Sequence, residues 1–412
     1  MTRRRRRSAA GRAVLTVVTA FGVLAGAALA GAAPAGAVPA GTTIAPGVTY
    51  RQFDLPAAAG TTHAHLLTVD LGDPRVRVDL LHPGAVAARA TVSKMANAAR
   101  AVAGVNGDFF DITETQHPGV DPTGASVGPA VANGRVLKAA VPDGQRFGPA
   151  LPPGTDTEDV LGVGTDHRAR LDRLTLTGSV RTPAGGLPLK GLNQYALPQN
   201  SIGAYTSAWG GASRGRAVCG TDTDRGAGCG AETYEVTVRG GRVVSVAGAP
   251  GSGAIPVGTT VLLGREEGAR QLRELAVGDA VSVTHRLVAA ASRVAYVFAL
   301  GGFPVLRDGA PLAGLNDTAS AVRTVVGLDD GGRRLLILAL DGAVAYRSGL
   351  TVAEEATVMR SLGATDAFNL DGGGSSEMVT RGAGAAAVTV RNHPSGGAER
   401  PVANGVGVFA TG

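Results

Sequence analysis

Apolar residues along the chain are spaced in a way that predicts many β-strands and few helices. Residues 66–71 and 76–81 alternate apolar and polar side chains on either side of Gly72-Asp73-Pro74, which predicts a hairpin. A helix should then begin at Thr91 or Ser93, because the apolar residues that follow recur at helical spacing.

The middle of the chain contains two regions of different character. Residues 113–160 are rich in Gly, Pro, Asp and Thr, which predicts long loops with a short hairpin at Asn133-Gly134. Long loops inside a compact domain are often functional. Residues 191–290 predict a β-rich inserted subdomain, in which strands 234–238 and 243–246 flank a hairpin turn. This block also contains predicted strands at 261–263 and 280–287 and a predicted short helix at 266–275.

The last third of the chain has the most regular pattern. Strands are expected at 296–300, 323–327, 335–340, 367–370 and 402–409. A helix at 352–362 is marked by a capping box of Thr351 and Glu354 and by Gly363 at its end. The elements together predict an α+β fold with mixed, largely antiparallel sheets and packed helices, plus the β-rich inserted subdomain.

The first 37 residues have the pattern of a secretory signal peptide. Six arginines precede an apolar stretch at 13–30, and Ala35-Gly36-Ala37 fits a cleavage site. A membrane anchor is the alternative, but the cleavage signal favours removal and a secreted, extracellular or cell-envelope protein with no remaining membrane span. The predicted organisation is signal peptide 1–37, linker 38–47, a core in two parts at 48–190 and 291–412, and the insertion at 191–290.

The positive charge of the chain belongs to this leader. The sequence has 39 Lys and Arg against 33 Asp and Glu, and removal of the six leader arginines leaves 33 of each sign. No basic patch with interleaved aromatic residues occurs later, so nucleic-acid binding is not expected. The oligomeric state is left open.

The two cysteines, Cys219 and Cys229, are ten residues apart. In an exported protein this spacing predicts one local disulfide. A pair of cysteines without nearby histidines does not make a zinc site.

The strongest chemical motif is Asn369-Leu370-Asp371-Gly372-Gly373-Gly374-Ser375-Ser376. Three glycines allow a sharp turn whose successive N–H groups point into one concavity, and such a nest binds anions. Ser375 and Ser376 add hydroxyl donors, and Asp371 is a candidate acid, base or nucleophile. The alternative is an ordinary tight turn capped by Asp371.

Weaker motifs lie at other predicted strand ends. Asn106 and Asp108 follow a buried run, although an Asn-Gly turn explains them equally well. Arg323 offers a fork that matches phosphate, but such arginines are more often ion-paired. Asp341 ends a very apolar strand and fits a plain hairpin turn as well. The strands leading into Asn106, Arg323, Asp341 and Asp371 are expected to converge on one cleft.

Two further patterns have structural explanations that we favour. Gly124-Ala125-Ser126-Val127-Gly128 matches the motif of a serine esterase, but the required strand and helix are not predicted around it. His63 and His65 can face one side of a strand, yet no third ligand is close in sequence, so a surface or half-buried role is expected rather than a metal site.

Taken in order, the motifs resemble the phosphodiester glycosidases, whose animal member removes N-acetylglucosamine from a phosphodiester. The residues that carry the resemblance are 106–111, 301–306 with Asp308-Gly309, Arg323-Thr324 through Gly327, 338–342, Gly349-Leu350-Thr351 with Glu354, Asn369 to Ser376, and Asn404-Gly405-Val406. The glycine triplet with its flanking residues is the specific part. The resemblance covers residues 90–409, and the block near 190–290 is similar to an insertion in bacterial relatives.

The resemblance implies hydrolysis of a sugar C1–O–phosphate bond through an oxocarbenium-like transition state. Our hypothesis assigns Arg323 and the backbone of Gly372 to Ser376 to the phosphate. Asn106, Asn369 and Asp371 would hold the sugar, and Asp341, Asp371 or Glu354 would supply the catalytic carboxylate. The binding set also contains Asp108, Thr324, Thr351, Gly372, Gly373, Gly374, Ser375 and Ser376.

The expected substrate is an N-acetylglucosamine-1-phosphodiester or a similar group of an envelope or extracellular polysaccharide. The alternative is an envelope protein that binds such a polysaccharide in the same pocket without catalysis. No cofactor is expected, although a divalent metal ion is not excluded. The choice between a retaining and an inverting mechanism depends on the carboxylate separation, which spacing in the sequence does not give.

Overall fold

The computed structural model describes residues 41–411, so the predicted signal peptide and part of the predicted linker lie outside the described residues. The α-helices are α1 (Val92–Ala99), α2 (Glu267–Arg273) and α3 (Val352–Ser361). The strands of the first part are β1 (Thr42–Ala45), β2 (Val48–Ala57), β3 (Gly60–Asp70), β4 (Val76–Leu81), β5 (Ala103–Asn106), β6 (Ala130–Ala132), β7 (Arg135–Lys138), β8 (Asp159–Gly164), β9 (Ala169–Thr182) and β10 (Gly185–Pro188).

The remaining strands lie in residues 191–411. They are β11 (Gly191–Leu192), β12 (Ile202–Tyr205), β13 (Thr233–Arg239), β14 (Arg242–Ala247), β15 (Thr259–Arg265), β16 (Ser282–Ala289), β17 (Tyr296–Gly301), β18 (Phe303–Arg307), β19 (Ala310–Pro311), β20 (Thr324–Asp329), β21 (Arg334–Leu340), β22 (Asp366–Asn369), β23 (Met378–Arg381), β24 (Val388–Val390) and β25 (Gly405–Ala410). The fold is therefore dominated by strands, and the predicted α+β class is confirmed only in part, because the described helices are few and short.

An eight-stranded sheet with the order β1-β2-β3-β21-β20-β22-β18-β19 forms the central layer. Alternate residues of β21 point to its two faces, and both faces are buried: Leu336, Leu338 and Leu340 pack in one core, and Leu335 and Ile337 in another. Burial on both sides explains why 335–340 is an unbroken apolar run in the sequence. Helix α3 packs on the first face and the sheet of β4, β5 and β25 on the second.

Three smaller sheets complete the described fold. Their orders are β24-β23-β5-β25-β4, β11-β12-β15-β13-β14, and β10-β9-β8-β17-β6-β7 with β16 on the far side of β9. All pairs but one are antiparallel; β11 and β12 run parallel. The second of these sheets lies entirely within residues 191–290. Strand β16 also belongs to that block of the sequence, but it pairs with β9 of the preceding part.

The predicted hairpin of 66–71 and 76–81 is wrong. Strand β3 pairs with β2 and β21, while β4 pairs with β25 in another sheet. The alternation of side chains correctly located the two strands but does not determine their partners. By contrast, Asn133 and Gly134 form the predicted turn with positive φ angles of 47° and 71° between β6 and β7.

Candidate active site

The ends of β5 and β22 meet at the centre of the candidate site. Asn106 Nδ2 donates to the Asp371 carbonyl at 2.7 Å, and Asp371 N donates to the Gly107 carbonyl at 2.9 Å. Thr324 Oγ1 donates to Asn106 Oδ1 at 2.8 Å and lies 3.1 Å from Ser376 Oγ. The buried side chains of Asn106 and Thr324 are thus used to join three distant segments, so they form the frame of the site.

Asp108 is held rigidly beside this frame. Its backbone N–H donates to Asn404 Oδ1 at 2.9 Å, and its Oδ2 accepts from Gly128 N at 2.7 Å. Its Oδ1 is buried and has no partner within the described residues. The carboxylate is therefore fixed through one oxygen, and its other oxygen is a buried acceptor without a hydrogen bond.

Asp108 and Asp371 are two acids on adjoining segments of the site. Burial raises the pKa of Asp108 to about 6, against the attraction of Lys138 and Arg146, and the charge of Asp371 adds to the rise. Burial likewise raises the pKa of Asp371 to about 6, although Ser375, the Gly372 amide, Arg400 and Arg146 oppose it. Near neutral pH the two carboxyl groups therefore titrate in the range that acid–base catalysis uses.

Two arginines that the sequence analysis did not single out lie at this pair. The exposed Arg400 packs against Gly374, and its Nη1 is 3.5 Å from Ser375 Oγ. The guanidinium of Arg146 lies 5.2 Å from the centre of the Phe109 ring and 5.8 Å from that of Phe303. Arg146 also lines an open groove of about 580 Å³, formed mainly by residues 143–155. The only sequence signal for Arg146 was its position in the predicted long loops, and Arg400 had none.

The glycine turn does not form the expected nest of free N–H groups. Gly373 N donates to the Val322 carbonyl at 2.8 Å, and Gly372 N donates to Asp371 Oδ1 at 2.9 Å. Ser375 N and Ser376 N donate back to carbonyls within the same turn. Gly374 N is the one amide of the run for which the described residues provide no acceptor. The backbone of this turn is therefore mostly occupied, because it packs against the Val322–Arg323 segment.

Asn369 keeps its hydrogen-bonding capacity unused. Its side chain is fully buried, and neither Oδ1 nor Nδ2 has a partner among the described residues. A buried amide without partners is costly, by about 1–3 kcal/mol for each unpaired group, unless water or a ligand supplies the missing bonds. Its position two residues before Asp371 is consistent with contact to a ligand.

The guanidinium of Arg323 is hydrogen-bonded to backbone carbonyls of the protein. Its Nε donates to the Leu350 carbonyl at 2.8 Å, and its Nη2 donates to the Ala319 carbonyl at 3.0 Å. The guanidinium also attracts Glu355, whose pKa burial nevertheless raises to about 8. The expectation that Arg323 grips phosphate does not fit this geometry, since two of its nitrogen atoms are committed to backbone carbonyls.

Thr351 and Glu354 form the capping box of α3. Glu354 N donates to Thr351 Oγ1 at 3.1 Å, and Thr351 N donates to Glu354 Oε2 at 2.9 Å. The remaining carboxylate oxygen of Glu354 accepts from Ala58 N at 2.6 Å. Both carboxylate oxygens of Glu354 thus accept hydrogen bonds from backbone amides. The capping box therefore explains Thr351 and Glu354 structurally, and no oxygen of Glu354 is left for a catalytic role.

Asp341 lies in a separate, histidine-rich cluster. Its Oδ1 is 3.1 Å from His65 Nε2 and accepts from His393 N at 2.5 Å, while its Oδ2 is 2.9 Å from His393 Nδ1. Burial alone would raise the pKa of Asp341, but these donors outweigh it and lower the pKa to about 2. Asp341 therefore remains ionised and is a poor general acid.

A short segment connects the two acidic centres. Asn392 Nδ2 donates to the carbonyls of Leu340 and Ser376 at 3.2 and 2.9 Å. Ser395 Oγ donates to the Gly373 carbonyl at 3.2 Å. The predicted convergence of strand ends thus holds for Asn106 and Asp371, and the Val322–Arg323 segment also contacts the glycine turn. The carboxylate of Asp341 lies apart from the turn, and residues 392–395 connect the two.

The predicted disulfide between Cys219 and Cys229 is present. Next to it, the buried Glu114 bonds Arg216 Nε and His117 Nδ1, each at 2.5 Å. His117 Nε2 also contacts the Ala227 carbonyl at 2.9 Å. The disulfide loop is in this way tied to the long loop that follows Asp108.

Ser126 lacks the base that an esterase needs. It shares a cavity of about 20 Å³ with His82, but no hydrogen bond joins the two side chains in the described structure. His82 Nδ1 instead accepts from Gly84 N at 3.2 Å. The esterase motif is therefore part of the fold rather than a catalytic site.

Residues 232–409 match the model of the phosphodiester glycosidase family, which confirms the predicted resemblance over that part of the chain. The match begins inside the block predicted as an insertion, 191–290. It includes Asp371 and Arg400 but not Asp108 or Arg146. No curated protein matches the chain.

Solved structures share the fold. A hypothetical protein from Synechocystis is 20% identical, with a TM-score of 0.68, over 89% of this chain and 62% of that one. A protein from Burkholderia pseudomallei K96243, described as exported, is 24% identical, with a TM-score of 0.66, over 86% and 76%. The chain thus spans less than two thirds of the Synechocystis protein.

A weaker similarity relates the chain to the catalytic domain of zebrafish N-acetylglucosamine-1-phosphodiester alpha-N-acetylglucosaminidase. Its TM-score is 0.45 at 13% identity, over 91% of this chain and 87% of that one. Within residues 41–411, no helix has the length and apolar character needed to cross a membrane.

Proposed function

We propose that this protein is a hydrolase that cleaves the sugar C1–O–phosphate bond of a glycosyl phosphodiester. The observation that carries the proposal is that two acids with raised pKa values, Asp108 and Asp371, lie on adjoining segments of the site, where Asp371 N donates to the Gly107 carbonyl. The family match of residues 232–409 supports a hydrolase of this class.

The pair suits the two proton transfers of such a reaction. Asp371 is half-buried and borders the glycine turn, so in our mechanism it is the carboxylate that takes a proton from water as the water oxygen bonds to C1. The C1–O bond breaks as that bond forms, and the phosphomonoester leaves with the bonding electrons. Asp108 is more deeply buried and, in its protonated form, donates its proton to the leaving phosphate oxygen. The proton that Asp371 took from water is afterwards released, and Asp108 is reprotonated, so that the pair returns to its starting state.

Arg146 and Arg400 are our candidates for recognition of the phosphate. Both attract the charge of Asp371, and both lie in partly open positions. A guanidinium matches the geometry of phosphate oxygens and keeps its charge at all relevant pH values. In this assignment they replace Arg323 and the glycine amides, whose hydrogen-bonding groups are mostly occupied within the protein.

We further propose that the protein is secreted and acts on a polymer of the envelope or the extracellular space. The leader-like first 37 residues support secretion. The expected substrate carries N-acetylglucosamine-1-phosphodiester groups or similar ones, in line with the family resemblance. Asn369, with its unused buried amide, is the candidate contact to the sugar.

The test is the release of free sugar and phosphomonoester from an N-acetylglucosamine-1-phosphodiester by the wild-type protein and by Asp108→Asn. We expect turnover by wild type and a loss of about 10²–10⁴-fold in the variant. A glycoside without phosphate should be cleaved at least tenfold more slowly, because it makes no contact with the arginines. The anomer first released, followed by NMR, should show inversion at C1, because water attacks directly; retention would indicate a covalent intermediate instead.

The alternative of a non-catalytic polysaccharide-binding protein predicts another outcome. Wild type would then bind the phosphodiester, as measured by calorimetry, and release no product at any pH between 5 and 8. That result, obtained with a panel of sugar-1-phosphodiesters, would refute the catalytic proposal while leaving the binding site intact.

A further inference from the structure

His63, His65 and Asp341 form a cluster with the composition of a metal site. One ligand atom of each residue lies within 4.8 Å of the others. Imidazole nitrogen and carboxylate oxygen are the ligands that zinc and similar divalent ions take in proteins. The other described group of this kind, His117 with Cys219 and Cys229, is unsuited because its sulfur atoms are joined in the disulfide.

The register of the central sheet creates the cluster. His63 and His65 are two residues apart on β3, so their side chains share one face. Strand β21 pairs with β3 so that Ala339 is opposite His65, and Asp341 N donates to the His63 carbonyl at 2.9 Å. The third ligand thus comes from 276 residues away in sequence, which is why the spacing of the two histidines alone did not suggest it.

Strand β2 supplies partners that orient both histidines. Tyr50 Oη lies 2.7 Å from His65 Nδ1, and Asp54 Oδ1 lies 2.6 Å from His63 Nδ1. Metal-binding histidines usually have one ring nitrogen held by such an outer partner, which leaves the other nitrogen for the ion. Here the remaining nitrogen of His65, Nε2, already faces Asp341 at 3.1 Å.

His393 is the candidate for a fourth ligand, and it lies outside the group of three whose ligand atoms are all within 4.8 Å of one another. Its Nδ1 lies 2.9 Å from Asp341 Oδ2, and its side chain is 70% exposed, so it is free to adjust. Ligand atoms about 2.0–2.2 Å from a tetrahedral zinc ion are roughly 3.3–3.6 Å apart. The 3.1 Å between His65 Nε2 and Asp341 Oδ1 needs to grow only slightly, whereas ligand atoms near the 4.8 Å limit and the exposed His393 side chain must move closer to share one ion.

We propose that His63, His65, Asp341 and His393 bind one divalent transition-metal ion of the zinc type. The ion would join β3, β21 and the segment 392–395, which also carries Ser395 to the glycine turn. The site is distinct from the pair of Asp108 and Asp371, so the proposal of a metal site does not depend on the proposed hydrolysis.

The test uses the full chain produced without a histidine tag, stripped with a chelator and dialysed against Zn²⁺ or Co²⁺. We expect one equivalent of bound metal, measured by inductively coupled plasma mass spectrometry. The Co²⁺ form should show the visible absorption of a four-coordinate site, and the Tm should rise with Zn²⁺ concentration. The double variant His63→Gln/His393→Ala should bind at least tenfold more weakly. His285→Gln, at an exposed position on β16, is the matched control and should bind like wild type.

Circular dichroism of each metal-free variant establishes that it is folded, and both substituted histidines have solvent access, so loss of the fold is not expected. Less than 0.2 equivalents of metal in wild type at roughly ten micromolar free ion would overturn the proposal, since protein zinc sites bind far more tightly than that. Equal binding by the double variant would overturn it as well. In either case the cluster is a hydrogen-bonded network only.

Discussion

Asp371 and Asp341 both follow a buried strand of the central sheet, yet their surroundings oppose each other. Asp341 is surrounded by donors from His65 and His393, and its pKa falls to about 2. Asp371 has fewer donors for the charge that its burial desolvates, and its pKa rises to about 6. Position at a strand end therefore does not decide the role of a carboxylate; the number of donors that reach it does.

Replacement of Asp371 tests this contrast most severely. Asp371→Asn should lower kcat/KM for the sugar-1-phosphodiester by about 10²–10⁴-fold, because the amide cannot accept a proton. Asp121→Asn, at an exposed loop position, is the control and should leave kcat/KM unchanged. A loss of less than threefold in Asp371→Asn would move the catalytic role to another acid.

Arg400 and Arg323 give a second contrast. Arg400→Ala should raise KM by about 10–100-fold, because a charge-assisted contact to phosphate contributes about 1.5–3 kcal/mol. Arg323→Ala should instead lower Tm and leave KM within about threefold, since its contacts are with backbone carbonyls. A reversal of the two results would restore Arg323 as the phosphate ligand.

At Asp341 the expected effect is on stability. Asp341→Asn, measured in metal-free protein by urea unfolding, should lose about 1–3 kcal/mol, because a buried ionised acceptor of three donors becomes a neutral amide. The folded fraction should retain kcat/KM within tenfold. A catalytic loss as large as that of Asp371→Asn would contradict the separation of the two centres.

The raised pKa of Asp371 also makes a prediction about pH. The folded state holds this proton more tightly than the unfolded state, so the stabilisation it gives is present below about pH 4 and is lost as the pH rises through about 6. Asp371→Asn cannot ionise, so its Tm relative to wild type should be higher at pH 7 than at pH 4. Equal differences at both pH values would show that Asp371 is not desolvated.

The smallest effect is expected at the capping box. Thr351→Ala should cost about 0.5–2 kcal/mol of stability through loss of the cap of α3, with unchanged kcat and KM. Thr357→Ala, on the exposed face of the same helix, is the control for general helix effects. An increase in KM above threefold for Thr351→Ala alone would return Thr351 to the binding site.

The sequence was sufficient to locate most strands of the last third, because their apolar runs are long and bounded by glycines. It also predicted that Asn106 and Asp371 would meet, since both end buried strands. It did not predict which strands pair, as the separation of β3 and β4 shows. The alternation of apolar and polar side chains shows which face of a strand is buried. It does not show which other strand pairs with it.

The chemistry of the site was harder to predict for two physical reasons. Whether the amides of Gly372 and Gly373 are free depends on their distance from the Val322 carbonyl and Asp371 Oδ1, which composition does not encode. Arg146 and Arg400 lie in irregular segments, where no periodicity marks the direction of a side chain.

The position of β25 has a consequence for the order of assembly. This strand, the last one described, is an interior strand between β4 and β5, and Asn404 just before it accepts a hydrogen bond from the Asp108 amide. Contacts between residues almost 300 positions apart form slowly, because a large loop must close first. During synthesis the chain therefore carries no assembled pair of acids until this strand has emerged and docked, and a fragment that stops before Asn404 should be inactive.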